Sequence, residues 1–462
     1  MTITKTLRCI SPIDGSVYAE RPAMDYAEAR LVVDHLTAAQ AAWAARPMQE
    51  RIDLVLAGVD RIGALNDEIV PELAWQMGRP VRYGGEFGGF RERATHMASI
   101  SEEALARIEV SDDAGFKRYI KRVPHGVVLV IAPWNYPYMT AINTVAPALI
   151  AGNTVLLKHA SQTLLVGERM ADAFHAAGIP RDVFQSLFLD HDVTGSLISD
   201  GAFGFINFTG SVGAGKAIDR AAAGTFTGVG LELGGKDPGY VMDDADLDAA
   251  TGTLIDGAMF NSGQCCCGIE RIYVAEALFD RFVEIAVAIV EGYKLGNPLE
   301  AETTIGPMAH KRFAHQVRGQ TNEAVAAGAT AHIELFPQDD GGAYLTPQIL
   351  TNVDHSMRVM REESFGPVVG IMPVKDDAEA IRLMNDNDFG LTASLWTKDL
   401  ARAERIADAI ETGTVFMNRC DYLDPALCWT GCKDTGRGGG LSVIGYHNLT
   451  RPKSYHLKKA AS

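Results

Sequence analysis

The sequence predicts an α/β protein: two parallel sheets, each covered by helices, with a small β element beside them. Three observations carry this. Short continuous apolar runs alternate with helical patterns between residues 127 and 232. A second such rhythm begins after Gly234. Two alternating segments, 115–123 and 451–459, fit neither rhythm and read as exposed β ribbons.

Taken in chain order, Met24 to Ala106 reads as mostly helical, and "GFKRYIKRV" (Gly115 to Val123) as an exposed ribbon. The runs "VVLVI" (Val127 to Ile131), "TVLL" (Thr154 to Leu157), "GFINF" (Gly204 to Phe208) and "VGLEL" (Val229 to Leu233) have the character of strands buried on both faces. Between the second and third lies a helical pattern, Ser161 to Ala177. Val166, Met170 and Phe174 share one face, and Gly178 and Pro180 stop it. The second rhythm contributes strands "RIYVA" (Arg271 to Ala275), "VVGIMPV" (Val368 to Val374), "LTASLW" (Leu391 to Trp396) and "TVFMN" (Thr414 to Asn418), and an amphipathic helix from Leu278 to Tyr293. The tail "RPKSYHLKK" (Arg451 to Lys459) alternates like an edge strand.

The bulk properties exclude several function classes. A chain of 462 residues suggests two or three domains. A formal charge of −16 argues against a nucleic-acid partner. The N-terminus has no apolar signal core, and the longest apolar stretch, Met139 to Leu157, is broken by Pro147 and a Gly152-Asn153 turn. A soluble, cytoplasmic protein with no membrane partner is expected. The seven cysteines, at 9, 265, 266, 267, 420, 428 and 432, are not spaced as disulfide pairs. Cys428 and Cys432 could neighbour one another on a helix, but Gly431 and the lack of nearby histidines argue against zinc, and no metal is expected.

In open α/β sheets, ligands bind beyond the carboxyl ends of the strands. There the sequence places "APWNYP", Lys158, "TGSVGAGK", and Glu232 with Gly234-Gly235-Lys236. The segment Gly210 to Ala217 has the spacing of a phosphate loop, but Ala217 stands where magnesium binding needs Ser or Thr. It reads instead as a glycine turn opening a helix toward a pyrophosphate, or as a purely structural turn. Three adjacent thiols, Cys265 to Cys267, point different ways on a regular backbone. Small buried hydrophobes and a single nucleophile both remain open.

Several ordered motifs resolve the choice. "PWNYP" (133–137), "PALIAGNTVLLK" (147–158), "FTGSVGAG" (208–215), "LELGGKDP" (231–238), "FNSGQCC" (260–266), "ESFGP" (363–367) and Asn418 are present together. From about residue 10 to its end the chain resembles the aldehyde dehydrogenase superfamily, succinate semialdehyde dehydrogenases in length and cofactor segment. The resemblance implies a Rossmann-like NAD(P)-binding domain (1–106 and 125–233), an α/β catalytic domain (234–440) and a small β oligomerisation arm (107–124 and 441–462) forming a homodimer or homotetramer. It implies that Cys266 attacks an aldehyde, that the Asn135 amide and the Cys266 N–H hold the oxyanion, and that Glu232 activates water to release a carboxylic acid. Cys265 and Cys267 would be packing residues. Lys158 and Ser161 would contact the adenosine ribose, Gly210, Ser211 and Trp134 the pyrophosphate, and Glu363 and Phe365 the nicotinamide end. Alternatives are a coenzyme-A-acylating enzyme and a non-catalytic protein retaining the fold.

Departures from the family pattern carry further expectations. Ser161 stands where many NAD-using members have a glutamate, so NADP should be accepted, with Lys158 and His159 attracting its 2′-phosphate. Thr144 and Gly440 replace a lysine and a glutamate that position the general base. The substrate-carboxylate arginines of the semialdehyde enzymes correspond to Asn143 and Phe260; Arg419 is the candidate substitute. Tyr136, Leu423 and Trp429 are expected to line the substrate pocket, which favours an uncharged or aromatic aldehyde.

Overall fold

The computed structural model describes residues 5–113 and 115–460. An antiparallel hairpin, Thr6–Ile10 with Val17–Pro22, opens the chain; its short, polar strands give a weak sequence signal. Four helices follow: Tyr26–Ala45, Met48–Ala64, Asn66–Met77 and Phe87–Ala104. Asp25 starts the first through a reciprocal capping box with Glu28. These helices pack on the first sheet, and two polar side chains satisfy free carbonyls at the end of helix Pro137–Ile150. Trp43 Nε1 donates to Leu149 O at 2.9 Å, and the buried Arg51 Nε donates to Ile150 O at 2.9 Å.

The first sheet contains the parallel strands Gly228–Glu232, Phe205–Thr209, Val127–Ala132, Thr154–His159 and Phe184–Ser186, in that spatial order. Val127–Ala132 and Thr154–His159 are buried at every position, the first as its unbroken apolar run requires, the second including the polar Thr154, Lys158 and His159. A sixth strand comes from far along the chain: Gly436–Arg437 pairs antiparallel with Leu231 and Glu232.

The second sheet is ordered 330–331, 348–351, 368–374, 269–275, 237–241, 392–396, 414–417, and only the first of these runs antiparallel. Its interior strand Asp237–Val241 is fully buried although it begins Asp-Pro-Gly. The Asp237 carboxyl accepts a 2.6 Å hydrogen bond from Thr392 Oγ1, and burial raises its pKa well above the usual range.

The third sheet joins Ile108–Asp112, Phe116–Pro124 and Thr450–Lys458 as antiparallel strands. The two ribbons read from the sequence therefore pair with each other within the chain; the free edges belong to Ile108–Asp112 and Thr450–Lys458. No described helix is long and apolar enough to cross a membrane, and Met139–Leu157 divides between a helix and a strand.

Candidate active site

The cysteine triplet follows an unusual turn. After helix Leu247–Met259 the backbone takes positive φ at Asn261 (+53°), Ser262 (+57°) and Gly263 (+68°). For non-glycine residues this conformation costs roughly 1–2 kcal/mol each. Hydrogen bonds hold it: Gln264 Nε2 donates to Asn261 O at 3.0 Å, and Gln264 Oε1 accepts from Ala309 N at 2.8 Å. Only glycine fits at 263, because a Cβ there would lie 2.3 Å from the Gly366 backbone. The cysteine loop and the Glu363-to-Pro367 turn are thus in direct backbone contact.

Beyond this turn the three sulfurs diverge in role. Cys265 and Cys267 are buried, and their sulfurs lie 3.5 Å apart, each donating to Asp421 Oδ1 at 3.2 and 3.0 Å. Cys265 and Cys267, two residues apart, converge on Asp421, so the flanking pair makes polar contacts as well as packing in the core. Half-buried Cys266 faces a cavity, and its backbone N–H donates to no acceptor among the described residues. The flanking thiols hold the Cys266 pKa down, to about 5, with burial opposing them. Cys265 is pushed up to about 12, led by its interaction with Cys266.

Asn135 stands beside this loop, its Nδ2 donating to Gln264 O at 3.3 Å. A buried ion pair fixes it: Arg79 donates to Glu86 at 2.7 Å and to the Asn135 carbonyl. Arg79 also reaches Asn261 Oδ1 at 3.3 Å, so one guanidinium ties the Asn135 and cysteine loops together. Neither Arg79 nor Glu86 stands out in the sequence, where each is an ordinary charged residue.

Glu232 ends its strand in the same cavity. Desolvation raises its pKa to about 7, against a 3.2 Å hydrogen bond donated by Thr209 Oγ1 and the charge of Arg93. Gly440 leaves room for this carboxylate, since a Cβ there would lie 3.0 Å from Glu232 Oε1. Thr144 is buried within helix Pro137–Ile150 and is not among the residues lining the cavity.

The remaining candidates sit at the carboxyl ends of the first sheet's strands or on the second domain. Lys158 is buried, desolvation lowers its pKa, and no hydrogen bond holds its ammonium among the described residues. Ser161 is exposed in the next turn. His159 departs from expectation. It is buried with Nε2 on Pro137 O and Nδ1 accepting from Ala160 N, and burial lowers its pKa to about 4. It is neutral and engaged, so it offers no charge to a phosphate. Gly210 N donates to Glu232 O at 3.0 Å, and Ser211 caps helix Val212–Ala222. Gly213, in the first turn of that helix, has open space where a side chain would be. Trp134 stacks on Phe313 at 5.3 Å and meets Phe365 edge-on at 5.6 Å.

Glu363 accepts from Gly235 N at 3.1 Å, and burial raises its pKa to about 8. A Cβ on Gly234 would lie 2.4 Å from its carboxylate, and one on Gly235 would lie 2.5 Å from Cys266 O, which accounts for the glycine pair. Phe365 has φ +51° and is held by its N–H on Glu270, which is ion-paired with buried Lys236 at 2.5 Å. Asn418 takes φ +53° and clamps the Thr397 backbone through both amide atoms.

The cavity has a volume of about 360 Å³. Cys266, Glu232, Tyr136, Leu423, Trp429, Asn143 and Phe260 all line it. Arg419 does not: it is exposed, with its guanidinium 3.5 Å over the Tyr422 ring. An arginine the sequence did not single out lines the cavity instead. Arg93, on helix Phe87–Ala104, is buried in the cavity wall. Its Nη1 donates to Met139 O at 3.1 Å and to Asn143 Oδ1 at 3.4 Å, while Nε is buried without a partner. Cys428 and Cys432 lie on no helix; Cys432 belongs to a two-residue strand.

The sequence matches the aldehyde dehydrogenase family along residues 2–455. The chain belongs to the aldehyde dehydrogenase family. It is 33% identical to a 3,6-anhydro-alpha-L-galactose dehydrogenase of Streptomyces coelicolor, covering 98% of this chain and 94% of that protein. It is also 33% identical to an NADP-dependent succinate-semialdehyde dehydrogenase of Mycobacterium avium, over 89% of this chain and 88% of that one. Among solved structures, an NADP-dependent glyceraldehyde-3-phosphate dehydrogenase from Bacillus halodurans, complexed with NADP, superposes with a TM-score of 0.92. It is 32% identical and covers 99% of this chain and 96% of that one. This aldehyde dehydrogenase is accordingly an oxidoreductase that converts an aldehyde to a carboxylic acid through a cysteine adduct, with NAD or NADP as acceptor.

Proposed function

We propose that Cys266 is the nucleophile, that the Asn135 amide and the Cys266 N–H hold the oxyanion, and that Glu232 is the general base. The Cys266 sulfur attacks the carbonyl carbon, and the two donors take up the charge on its oxygen. The bound dinucleotide supplies the hydride acceptor. Glu232 then removes a proton from water, which displaces Cys266 from the thioester and releases the acid. Glu232 beside Cys266 favours water over coenzyme A as the acyl acceptor. The observation that carries this reading is one cavity holding both the Cys266 sulfur and a carboxylate whose pKa is about 7.

Lys158 and Ser161 would hold the adenosine ribose, Trp134, Gly210 and Ser211 the pyrophosphate, and Glu363 and Phe365 the nicotinamide end. The uncompensated Lys158 ammonium and the open first helical turn at Gly213 fit a phosphate-bearing ligand. The exposed Ile108, Val110 and Leu457 on the third sheet support assembly as a homodimer or homotetramer.

Tyr136, Leu423 and Trp429 would line the substrate pocket, and Arg93 sharpens the substrate class. A buried cation without an ion-pair partner is costly, and its unpartnered Nε lies in a cavity wall. The substrate would be an aldehyde with a carboxylate or similar anionic group at its far end, as the name of the Mycobacterium avium relative describes for that protein. The test compares kcat/KM for an ω-carboxy aldehyde and an unsubstituted aldehyde of equal length in Arg93→Met. At pH 9, where Glu232 is ionised in both proteins, the first should fall by about 100-fold, as for loss of a charged hydrogen-bonded pair, and the second by less than about threefold. Equal losses on both would remove Arg93 from substrate selection.

A further inference from the structure

The geometry points to a binding site for a thiophilic divalent cation, of the Zn²⁺ or Cd²⁺ class, formed by Cys265, Cys267 and Asp421 in the cavity wall beside Cys266. The three donor atoms lie within 4.8 Å of one another. The two sulfurs are 3.5 Å apart, and Asp421 Oδ1 is 3.2 and 3.0 Å from them. Tetrahedral zinc, with Zn–S near ~2.3 Å and Zn–O near ~2.1 Å, separates its ligand atoms by roughly 3.5–3.8 Å. The triangle already in place needs to widen by only a few tenths of an ångström.

The site is also held in shape. Gly268 N donates to Cys265 O at 3.2 Å across the turn that brings the two sulfurs together. Asp421 holds its carboxylate from a backbone at φ +49°, a conformation aspartate tolerates better than most residues. All three residues border the cavity, which leaves the fourth tetrahedral position open to water. Tyr136, whose buried hydroxyl has no partner, lines the same cavity and would accept a hydrogen bond from that water.

On binding, two metal–sulfur bonds and one metal–oxygen bond replace three waters of the aqua ion, and the two thiol protons and the proton that burial keeps on the Asp421 carboxyl pass to solvent. Two thiolates and one carboxylate suit zinc or cadmium over magnesium or calcium, which prefer oxygen donors. Cys266 is not a ligand. A cation here would occupy the floor of the aldehyde cavity and hold the chain rigid on both sides of the nucleophile, so it should act as a reversible inhibitor.

Cobalt(II) titrated into the full-length Cys266→Ser protein, reduced and freed of chelator, tests this. The expected result is one equivalent bound, a thiolate-to-cobalt charge-transfer absorption with the intensity of two sulfur ligands, and displacement by Zn²⁺. Adding Cys267→Ala or Asp421→Asn should weaken binding at least tenfold, while Cys428→Ala should leave it intact; Cys265→Ser serves if either variant is unstable by thermal melting. The inference is overturned if Cys266→Ser gives no thiolate band while the native chain does, since Cys266 would then be the ligand. It is equally overturned if binding survives loss of Cys265 and Cys267, or if no cobalt binds at all.

Discussion

Two walls of the proposed site, one for the cofactor and one for the aldehyde, are built from this chain in different ways. Trp134, Ser161, Gly210 and Ser211 follow strands of the first sheet, where a parallel strand gives way to its crossover, and Lys158 is the penultimate residue of its strand. The aldehyde cavity is gathered from helix Phe87–Ala104, helix Pro137–Ile150, the ends of two strands, the cysteine turn and the loop carrying Asp421, Leu423 and Trp429. The first wall is a property of sheet topology, which fixes where such residues fall before any packing is known. The second is a property of tertiary assembly, in which substitution at one segment changes the ligand without disturbing the other wall.

If the walls are separable, changes to one should leave the other's readout alone. The largest expected effect is Cys266→Ser, which should lower kcat by about 10⁴-fold or more while the cofactor dissociation constant, followed by tryptophan fluorescence, stays put. Lost cofactor affinity would break the comparison. Next is Glu232→Gln, expected to lower steady-state turnover by about 10³-fold yet preserve a single stoichiometric burst of reduced cofactor. Glu232 is protonated below its pKa of about 7 and then accepts no proton, so wild-type kcat should rise with pH through that value. In Glu232→Gln the rise should vanish. On the opposite wall, Ser161→Glu should cut kcat/KM for NADP about tenfold with NAD little changed, through repulsion of the 2′-phosphate. An equal loss with both cofactors would mean the side chain lies elsewhere. The smallest effect belongs to Gly440→Ala, whose Cβ would press on Glu232 Oε1 at 3.0 Å. It should displace the kcat inflection slightly and slow turnover only a few-fold, leaving the cofactor constants unchanged.

The same contrast explains what the sequence disclosed. The runs at 127–132 and 155–157 are unbroken and apolar because both faces of their sheet are covered. Asp237–Val241 is just as buried but escaped notice, since Asp, Pro and Gly at its start mimic a turn. The glycines at 234, 235 and 263 were visible as residues, but their reason, close approach to Glu363, to Cys266 O and to Gly366, lies in contacts far apart in the chain. Arg93 was indistinguishable from a solvated charge on an amphipathic helix. Asp421 sat in a loop with several equally plausible polar neighbours. His159 shows the converse error: a basic residue beside Lys158 suggested charge, and burial between Pro137 and Ala160 removed it.

The antiparallel strand Gly436–Arg437 completes the edge of a sheet whose other members all precede residue 233. Thr435 O accepts from Leu233 N at 2.9 Å, and its hydroxyl donates to Gly234 O at 2.8 Å, fixing the two residues that follow Glu232. During translation, the strand that bears this carboxylate therefore waits, with an open edge, for more than two hundred further residues to leave the ribosome. A chain that stops short of Gly436 leaves the sheet edge beside Glu232 without its partner strand.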